Sequence, residues 1–488
     1  MVMATQVREM RFEHRMSDSE ALMWNIEKDP WLNPSGAAIT ILDRPLDGDH
    51  FLQTMRAATA AMPRLYERVV PGIGRLATPV WQPDPEFDLD YHVRFVRLPK
   101  PGTERQLFDM AAKLYQEPFD RTRPLWRYVV IDGLKGGKGA IYSILHHAVA
   151  DGIGQLRMAE MFQQLERDAP PPPDVDLDAV IAEAVASHAP LQVGGDLAEN
   201  VFESTVGSLA HIARRQLGAT RRIAEEVMTW PTDPQRAASS IEDVVNSVKS
   251  TVVAALGSGD DVRGGSPLWA NRSRHRHFEA VRVPLDDLKA ASKRVGATIN
   301  DLFLAAMVEG AVRYHGDRDV EVDAFNTSFV LSTRTDDAVG GNSFTPVPVQ
   351  LPGEPMPLED RIADIHDRLA AKREGMTGGA GLGALSGVAN LLPTSVVTRA
   401  ARARAARMDF ATSNLRGAWF PLYVSGALVL DVLSMGPVAG TACNATAMSY
   451  NGTLAIGLFI DPIAIDAPGD FKAAIEESFD DVVALASN

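Results

Sequence analysis

The segment from residue 126 to residue 165 changes from a β-hairpin pattern to a helix pattern, and this change limits the possible folds more than any other feature. Trp126–Asp132 and Gly139–Leu145 are apolar and partly β-branched, with a glycine–lysine turn between them. After Gly152, apolar residues recur mostly three or four positions apart, at Ile153, Leu156, Met158, Met161, Phe162 and Leu165. The junction is the sequence His146-His147-Ala148-Val149-Ala150-Asp151-Gly152. A strand followed closely by a helix is typical of α/β and α+β proteins.

Strands and helices alternate through both halves of the chain, so we expect an α/β (α+β) fold. The first half shows helical patterns over Ser17–Glu27 and Asp49–Met62. The second half shows strands over Phe278–Val283 and Phe325–Leu331, helices over Leu285–Arg294 and Ile299–Tyr314, and a hairpin of Thr446–Tyr450 and Thr453–Phe459. Asn451-Gly452 between the hairpin strands predicts a type I′ turn.

The 488 residues exceed a single domain, and four consecutive prolines interrupt the chain at Pro170–Pro173. The residues that follow are helical in composition and carry no obvious catalytic cluster. We therefore predict an N-terminal subdomain over residues 1–173, a helical crossover over residues 174–265 and a C-terminal subdomain over residues 266–488.

The composition excludes several classes of protein. The net charge of −15 argues against nucleic acid as a partner, because phosphates require a basic surface. The single cysteine, Cys443, can form neither an internal disulfide nor a cysteine-based metal cluster. The N-terminus lacks the pattern of a secretory signal, and no run of about 18 apolar residues is present. We expect a cytoplasmic protein, or one that lies on a membrane without crossing it.

The two histidines at the junction have a catalytic and a structural interpretation. Histidine at the end of a strand can take a proton from an alcohol or a thiol, and a nearby carboxylate can orient it. Alternatively, His146 and His147 are hydrogen-bonded core residues and Asp151 caps the following helix. Metal binding is disfavoured, because adjacent strand residues point to opposite sides and no third ligand is near.

The segment from His146 to Gly152 resembles the HHxxxDG motif of the coenzyme-A-dependent acyltransferase superfamily. Further segments resemble the bacterial wax ester synthase/diacylglycerol acyltransferase family within it: Pro124-Leu125-Trp126, Asn300-Asp301, Ser332 with Arg334, and Ser413-Asn414 with Gly417. The resemblance extends from about Ser17 to Asp466, and departs from the family where Glu20 and Met23 stand in place of Asp and Phe.

This resemblance implies two chloramphenicol-acetyltransferase-like subdomains, with mixed sheets flanked by helices and a tunnel between them. It implies transfer of a long acyl chain from acyl-CoA to a fatty alcohol or diacylglycerol, with the coenzyme A thioester as co-substrate and no other cofactor or metal.

The resemblance also assigns roles to residues. His147 would be the general base, with His146 beside it in the catalytic set, and Asp151 would be structural, paired with an arginine such as Arg64 or Arg334. Asn300 would position substrate or stabilise the oxyanion, unless it caps its helix. The residues implied in substrate binding are Gly152, Asp301, Trp126, Ser332, Arg334, Ser413 and Asn414. Trp126 also fits a core position, and the serines and Asn414 also fit turns.

Three alternatives remain open at this level. The chain could be a condensation-type enzyme with a carrier-bound acyl donor, or a non-catalytic acyl-CoA- or lipid-binding protein. The basic segment with Arg399, Arg402, Arg404 and Arg407 fits either a helix lying on a membrane or lipid inclusion, or a solvated helix face. The oligomeric state is not predicted.

Overall fold

The structure is a computed structural model, and it describes residues 12–71, 78–188, 265–332, 344–376, 390 and 393–486. The helices are α1 (Asp18–Ile26), α2 (Gly48–Ala61), α3 (Leu89–His92), α4 (Glu104–Tyr115), α5 (Gly152–Glu160), α6 (Leu177–Ser187), α7 (Leu285–Val295), α8 (Ile299–Gly316), α9 (Leu358–Met376), α10 (Thr394–Ala405) and α11 (Pro468–Ala484). The strands are β1 (Ser35–Leu42), β2 (Glu67–Val70), β3 (Val80–Pro83), β4 (Val93–Arg97), β5 (Trp126–Leu134), β6 (Lys138–His146), β7 (His277–Pro284), β8 (Ala324–Ser332), β9 (Phe344–Pro352), β10 (Phe410–Arg416), β11 (Tyr423–Val424), β12 (Ala427–Met435), β13 (Cys443–Tyr450) and β14 (Thr453–Ile460).

The predicted elements are confirmed, with two differences. Helix α5 ends at Glu160, although the apolar series continues to Leu165, because Gln164 instead pairs with Tyr423 through backbone hydrogen bonds. Of the predicted crossover, only the part up to residue 188, which includes α6, and residue 265 are described; residues 189–264 lie outside the described residues.

Helix α1 begins as predicted, with Ser17 as its N-cap. The side chain of Ser17 accepts from the Glu20 N–H, and the Glu20 carboxylate accepts from the Ser17 N–H, which completes a capping box. Glu20, one of the two departures from the family pattern, is therefore used to start the helix.

The N-terminal sheet has the order β11-β12-β1-β6-β5-β4. Its centre is the predicted hairpin β5–β6, in which Trp126 lies opposite Leu145, and β1 pairs antiparallel with β6, so that Ser35 lies opposite His146. The end of β6 that carries the histidines is thus held by a strand on each side.

The C-terminal sheet has the order β7-β14-β13-β10-β8-β9, with β10 parallel to both of its neighbours. The hairpin β13–β14 turns at Asn451 and Gly452, whose φ angles of 42° and 85° fit the predicted type I′ turn. The long helix α8 is buried along most of its length and packs against α11. The structure therefore has the mixed sheets and flanking helices that the fold prediction required.

One strand from the subdomain predicted over residues 266–488 is part of the N-terminal sheet. β12 pairs antiparallel with β1, with Ala37 opposite Met435, and therefore belongs to the N-terminal sheet. A periodic pattern identifies a strand but not its partner, and this partner lies far away in the sequence. β12 also packs on β13 and β14 of the other sheet.

The two sheets approach each other closely at Gly457 in β14. A Cβ atom at this position would stand only 1.9 Å from the backbone oxygen of Ser434 in β12 and 3.0 Å from the Phe278 ring. Only glycine lets the two backbones approach so closely.

None of the described helices alone has the length and apolar composition needed to cross a bilayer, whereas α7 and α8 meet those criteria together but are bent by 98° between them.

Candidate active site

The histidine motif lies between β6 and α5, and its aspartate caps the helix. The Asp151 side chain is buried, and its Oδ1 accepts from the Gly154 N–H at 2.7 Å. Gly152 opens the helix beside β10 of the other sheet, where an added Cβ would meet a methyl group of Leu415 at 3.0 Å. Aspartate and glycine therefore place α5 against the C-terminal half of the protein.

His146 lies in the protein interior rather than in a pocket. It is fully buried, and its Nδ1 accepts from the Ala148 N–H at 2.9 Å. Its Nε2 lies 3.4 Å from Glu27 Oε2, and that carboxylate also accepts from Arg121 at 2.8 Å. His146 thus lies between the motif and the end of α1, and it is not among the described residues that line the cavity.

His147 instead lines a large cavity and is partly exposed there. An added Cβ on Gly36 of β1 would stand 3.3 Å from His147 Nε2 and 3.1 Å from Gln155 Nε2, so the two side chains flank the same point. The absence of a side chain at Gly36 leaves room for a substrate atom next to this nitrogen.

The imidazole of His147 is neutral at physiological pH. Burial lowers its pKa to about 4, and the neighbouring His146 adds to the lowering. The charge of Asp151 and a backbone hydrogen bond with Ala150 act in the opposite direction but do not compensate. A neutral imidazole can accept a proton, which is the state that a general base needs.

The cavity has a volume of about 2160 Å³ and lies between the two halves of the protein. That volume exceeds the roughly 300–1,000 Å³ of pockets for drug-sized ligands. Its walls come from β1, β6, β12 and α5 on one side and from β10 and β13 on the other, and they are mostly apolar. Of the residues implied by the family motifs, His147, Asp151, Gly152, Ser413 and Asn414 line it.

Besides His146, the predicted site residues Trp126, Asn300 and Asp301 do not line the cavity. Trp126 is buried in the N-terminal core, stacks on His92 at 4.4 Å and donates its indole N–H to the Leu65 carbonyl. Trp126 therefore lies in the core position that the sequence also fitted, and it is not among the described residues that line the cavity.

Asn300 and Asp301 belong to the first turn of α8. Thr298, not Asn300, is the N-cap, and the Asp301 carboxylate accepts from the Thr298 N–H at 2.8 Å and pairs with His366 at 2.8 Å. Neither Asn300 nor Asp301 is among the described residues that line the cavity. In the structure this motif starts α8, and the role of Asn300 at an oxyanion stays a prediction.

The remaining predicted residues are described in part or not at all. Ser332 ends β8, and Arg334 lies outside the described residues. Arg64, suggested as a partner of Asp151, is buried against Trp81 and lies 3.7 Å from Glu67. Sequence reasoning missed Gly36 and Gln155, and the only signal for Gly36 was a run of small residues at the start of a strand.

The lowered pKa of His147 predicts an unusual pH profile. An ordinary histidine, with a pKa of about 6.5, keeps only about a tenth of its imidazole neutral at pH 5.5. His147, with a pKa of about 4, remains almost entirely neutral at pH 5.5. We expect kcat/KM to stay nearly constant from pH 7 down to about pH 5.5 and to fall only as the pH approaches 4. A loss of activity with a midpoint near pH 6.5, in protein shown by circular dichroism to be folded, would contradict this assignment.

Gly36 provides a test of the geometry at His147. Gly36→Val puts methyl groups where the substrate must meet His147 Nε2, so kcat/KM should fall about 100-fold. Ala38→Val is the matched control, because Ala38 also lines the cavity from β1 but lies two residues farther along the strand. Ala38→Val should lower kcat/KM less than about tenfold, since added methyl groups elsewhere in an apolar pocket have a smaller effect than added methyl groups beside His147. Equal losses in the two variants would count against this placement.

Comparison with solved structures defines the fold class. A wax ester synthase/diacylglycerol acyltransferase from Marinobacter aquaeolei VT8 superposes with a TM-score of 0.62 and 18% identity, covering 97% of this chain and 100% of that one. The first condensation domain of the calcium-dependent antibiotic synthetase gives a TM-score of 0.55 at 13% identity, covering 97% and 96%. The chain thus has the mixed α/β fold that this acyltransferase and this condensation domain share.

Sequence comparison is more specific. Residues 16–303 match the wax ester synthase/diacylglycerol acyltransferase catalytic domain, and residues 340–482 match the WS/DGAT C-terminal domain. A putative diacylglycerol O-acyltransferase of Mycobacterium tuberculosis is 27% identical over 99% of this chain and 94% of its own length. Another from the same species is 29% identical over 95% and 96%. The chain belongs to the wax ester synthase/diacylglycerol acyltransferase family and is an O-acyltransferase of the kind that makes wax ester or triacylglycerol.

Proposed function

We propose that this protein uses His147 as the general base to transfer a long acyl chain from acyl-CoA to a fatty alcohol or diacylglycerol. The observation that supports this most directly is the position of His147 in the wall of a mostly apolar cavity of about 2160 Å³. Burial there lowers the pKa of His147 to about 4, which favours the neutral imidazole. A space of that size between two sheets suits two long aliphatic groups better than one small polar substrate.

The reaction follows from the position of the ring. The acceptor hydroxyl binds beside Gly36, and His147 Nε2 removes its proton as the oxygen attacks the thioester carbon. The tetrahedral intermediate then collapses, the carbon–sulfur bond breaks, and the imidazolium returns the proton to the leaving coenzyme A thiolate. The new ester bond replaces the thioester, and His147 ends the cycle neutral.

The other motif residues act by holding this geometry. His146 connects the motif to α1 through Glu27, and Asp151 fixes the first turn of α5. Ser413 and Asn414 on β10 line the cavity from the other half and are the described motif residues that contact substrate in this proposal.

A labelled acyl-CoA assay tests the proposed function. Purified protein is given palmitoyl-CoA with hexadecanol, with dioleoylglycerol, or with neither, and products are separated by thin-layer chromatography. Labelled ester from either acceptor supports the proposal, and the preferred acceptor identifies the substrate. Binding of palmitoyl-CoA without turnover would favour a non-catalytic lipid-binding protein, and turnover only with a carrier-bound acyl group would favour the condensation-type alternative.

The acceptors and products are poorly soluble, so we also propose that the protein works at a lipid surface without crossing it. The kind of substrate that the family uses supports this location.

A further inference from the structure

The two most exposed large apolar side chains among the described residues lie on neighbouring segments. Trp419 is 84% exposed, in the loop between β10 and β11, and Leu165 is 69% exposed, after α5. The segments are joined by two backbone hydrogen bonds, from the Gln164 N–H to the Tyr423 carbonyl at 2.8 Å and from the Tyr423 N–H to the Gln164 carbonyl at 2.9 Å. The two segments that carry the exposed side chains are thus fixed to each other by backbone hydrogen bonds.

This surface surrounds an opening of the catalytic cavity. Leu165 lines the cavity and is also exposed to solvent, so the cavity reaches the protein surface at this residue. Ala418 and Phe420, on either side of Trp419, line the cavity as well, and the Phe420 ring meets the Trp419 ring edge-on at 5.4 Å. We call the three side chains of Leu165, Trp419 and Phe420 the mouth ridge.

The charges near the mouth ridge indicate which surface it fits. Glu166 and Asp168 are exposed next to Leu165, and Arg167 between them is paired with Asp43 at 2.7 Å. Arg416 is the exposed cation on the other segment. This balance, with a net charge of −15 for the chain, disfavours attraction to an anionic surface. A tryptophan beside aliphatic groups instead suits the boundary between water and an uncharged lipid phase.

The basic segment of α10 is the other candidate for contact with lipid. Two of its four arginines contact other parts of the protein or line the cavity. Arg402 lies 3.7 Å from Asp29 and over the Trp31 ring at 4.7 Å, and Arg404 lines the cavity. Only Arg399 and Arg407 of the four arginines are exposed without such contacts among the described residues.

We propose that the mouth ridge inserts into the surface of an uncharged or zwitterionic lipid phase, so that apolar substrate passes from the lipid into the cavity without crossing water. This inference rests on the proposed function, because it names the source from which the acceptor of that reaction enters.

Flotation with phosphatidylcholine vesicles tests the proposal in the full chain. Trp419→Ser should weaken binding about tenfold, since one large apolar side chain no longer leaves water. Ile463→Ser is the matched control, because Ile463 is 54% exposed and does not line the cavity, and it should bind like wild type. Adding Leu165→Ser to Trp419→Ser should weaken binding further.

Activity separates this inference from the proposed function. Trp419→Ser should lose turnover of dioleoylglycerol held in phosphatidylcholine vesicles but keep turnover of a short, water-soluble alcohol, because Trp419 is absent from the cavity wall. No turnover of either acceptor by wild type would overturn the proposed function, whereas vesicle binding can still be scored.

Three results would overturn the inference itself. The first is unchanged vesicle binding by Trp419→Ser. The second is wild-type binding to anionic vesicles alone that is lost in Arg399→Gln/Arg407→Gln, which would assign the contact to α10. The third is a change of oligomeric state in Trp419→Ser by light scattering, which would make a second copy of the chain the occupant of the ridge.

Discussion

His147→Ala is expected to lower acyl transfer about 10²–10⁴-fold while the protein stays folded. His147 is the motif histidine that lines the cavity. In the proposed reaction, its replacement removes the group that takes the proton from the acceptor hydroxyl. The cavity accommodates the smaller side chain, so the melting temperature should change little. Initial rates with palmitoyl-CoA and hexadecanol, measured beside a thermal denaturation curve, check both statements.

His146→Ala is the matched comparison for this variant. It removes an equal number of atoms from the adjacent residue, but from a buried ring that accepts a backbone hydrogen bond and lies near Glu27. We expect the melting temperature to fall, and the folded fraction to keep more activity than His147→Ala. Near-normal turnover in folded His147→Ala would remove His147 as the base, and a greater loss of turnover in folded His146→Ala would reverse the two roles.

Gly457→Ala is expected to destabilise the protein by about 3 kcal/mol, at the upper end of the usual cost of overpacking. The new methyl group would stand 1.9 Å from the Ser434 backbone oxygen, and neither backbone can move without disturbing its sheet. Because the cavity lies between the two halves, activity at low temperature should fall as well. The midpoint of urea denaturation measures the loss of stability.

Gly469→Ala is the control for this prediction. Gly469 lies in the first turn of α11, where an added Cβ meets nothing within 4 Å, and alanine favours a helix more than glycine does. This variant should be as stable as wild type or slightly more so. A midpoint for Gly457→Ala equal to that of the control would show that the two sheets can separate at small cost.

Patterns within short segments predicted much of this fold. The hairpin β5–β6, the turn at Asn451-Gly452 and the boundaries of α7 and α8 depend mainly on neighbouring residues, and all were predicted closely. The pairing of β12 with β1 was not, because hydrophobic periodicity specifies neither the partner of a strand nor its sheet.

The candidate site also combines features that short segments predict with features that depend on distant residues. The motif identified His147. It did not show which residues line the cavity and which pack behind its walls, because both kinds of residue can belong to a family motif. Trp126 and Asp301 are buried and hydrogen-bonded for structural reasons, whereas Gly36 contributes by having no side chain. Such a contribution becomes visible only when the distance to His147 is known.

The pairing of β12 with β1 also determines when the N-terminal sheet can be completed during synthesis. A ribosome that has made β6 has supplied one neighbour of β1, but the other neighbour, Ala427–Met435, begins only about 280 residues later. At about 5–20 residues per second, β1 waits on the order of 15–60 seconds with one edge unpaired. This edge belongs to the apolar sequence Ala-Ala-Ile-Thr-Ile-Leu, the kind of exposed strand that other chains can pair with. We therefore expect the nascent chain to depend on chaperones during this interval, and N-terminal fragments released before residue 427 to aggregate.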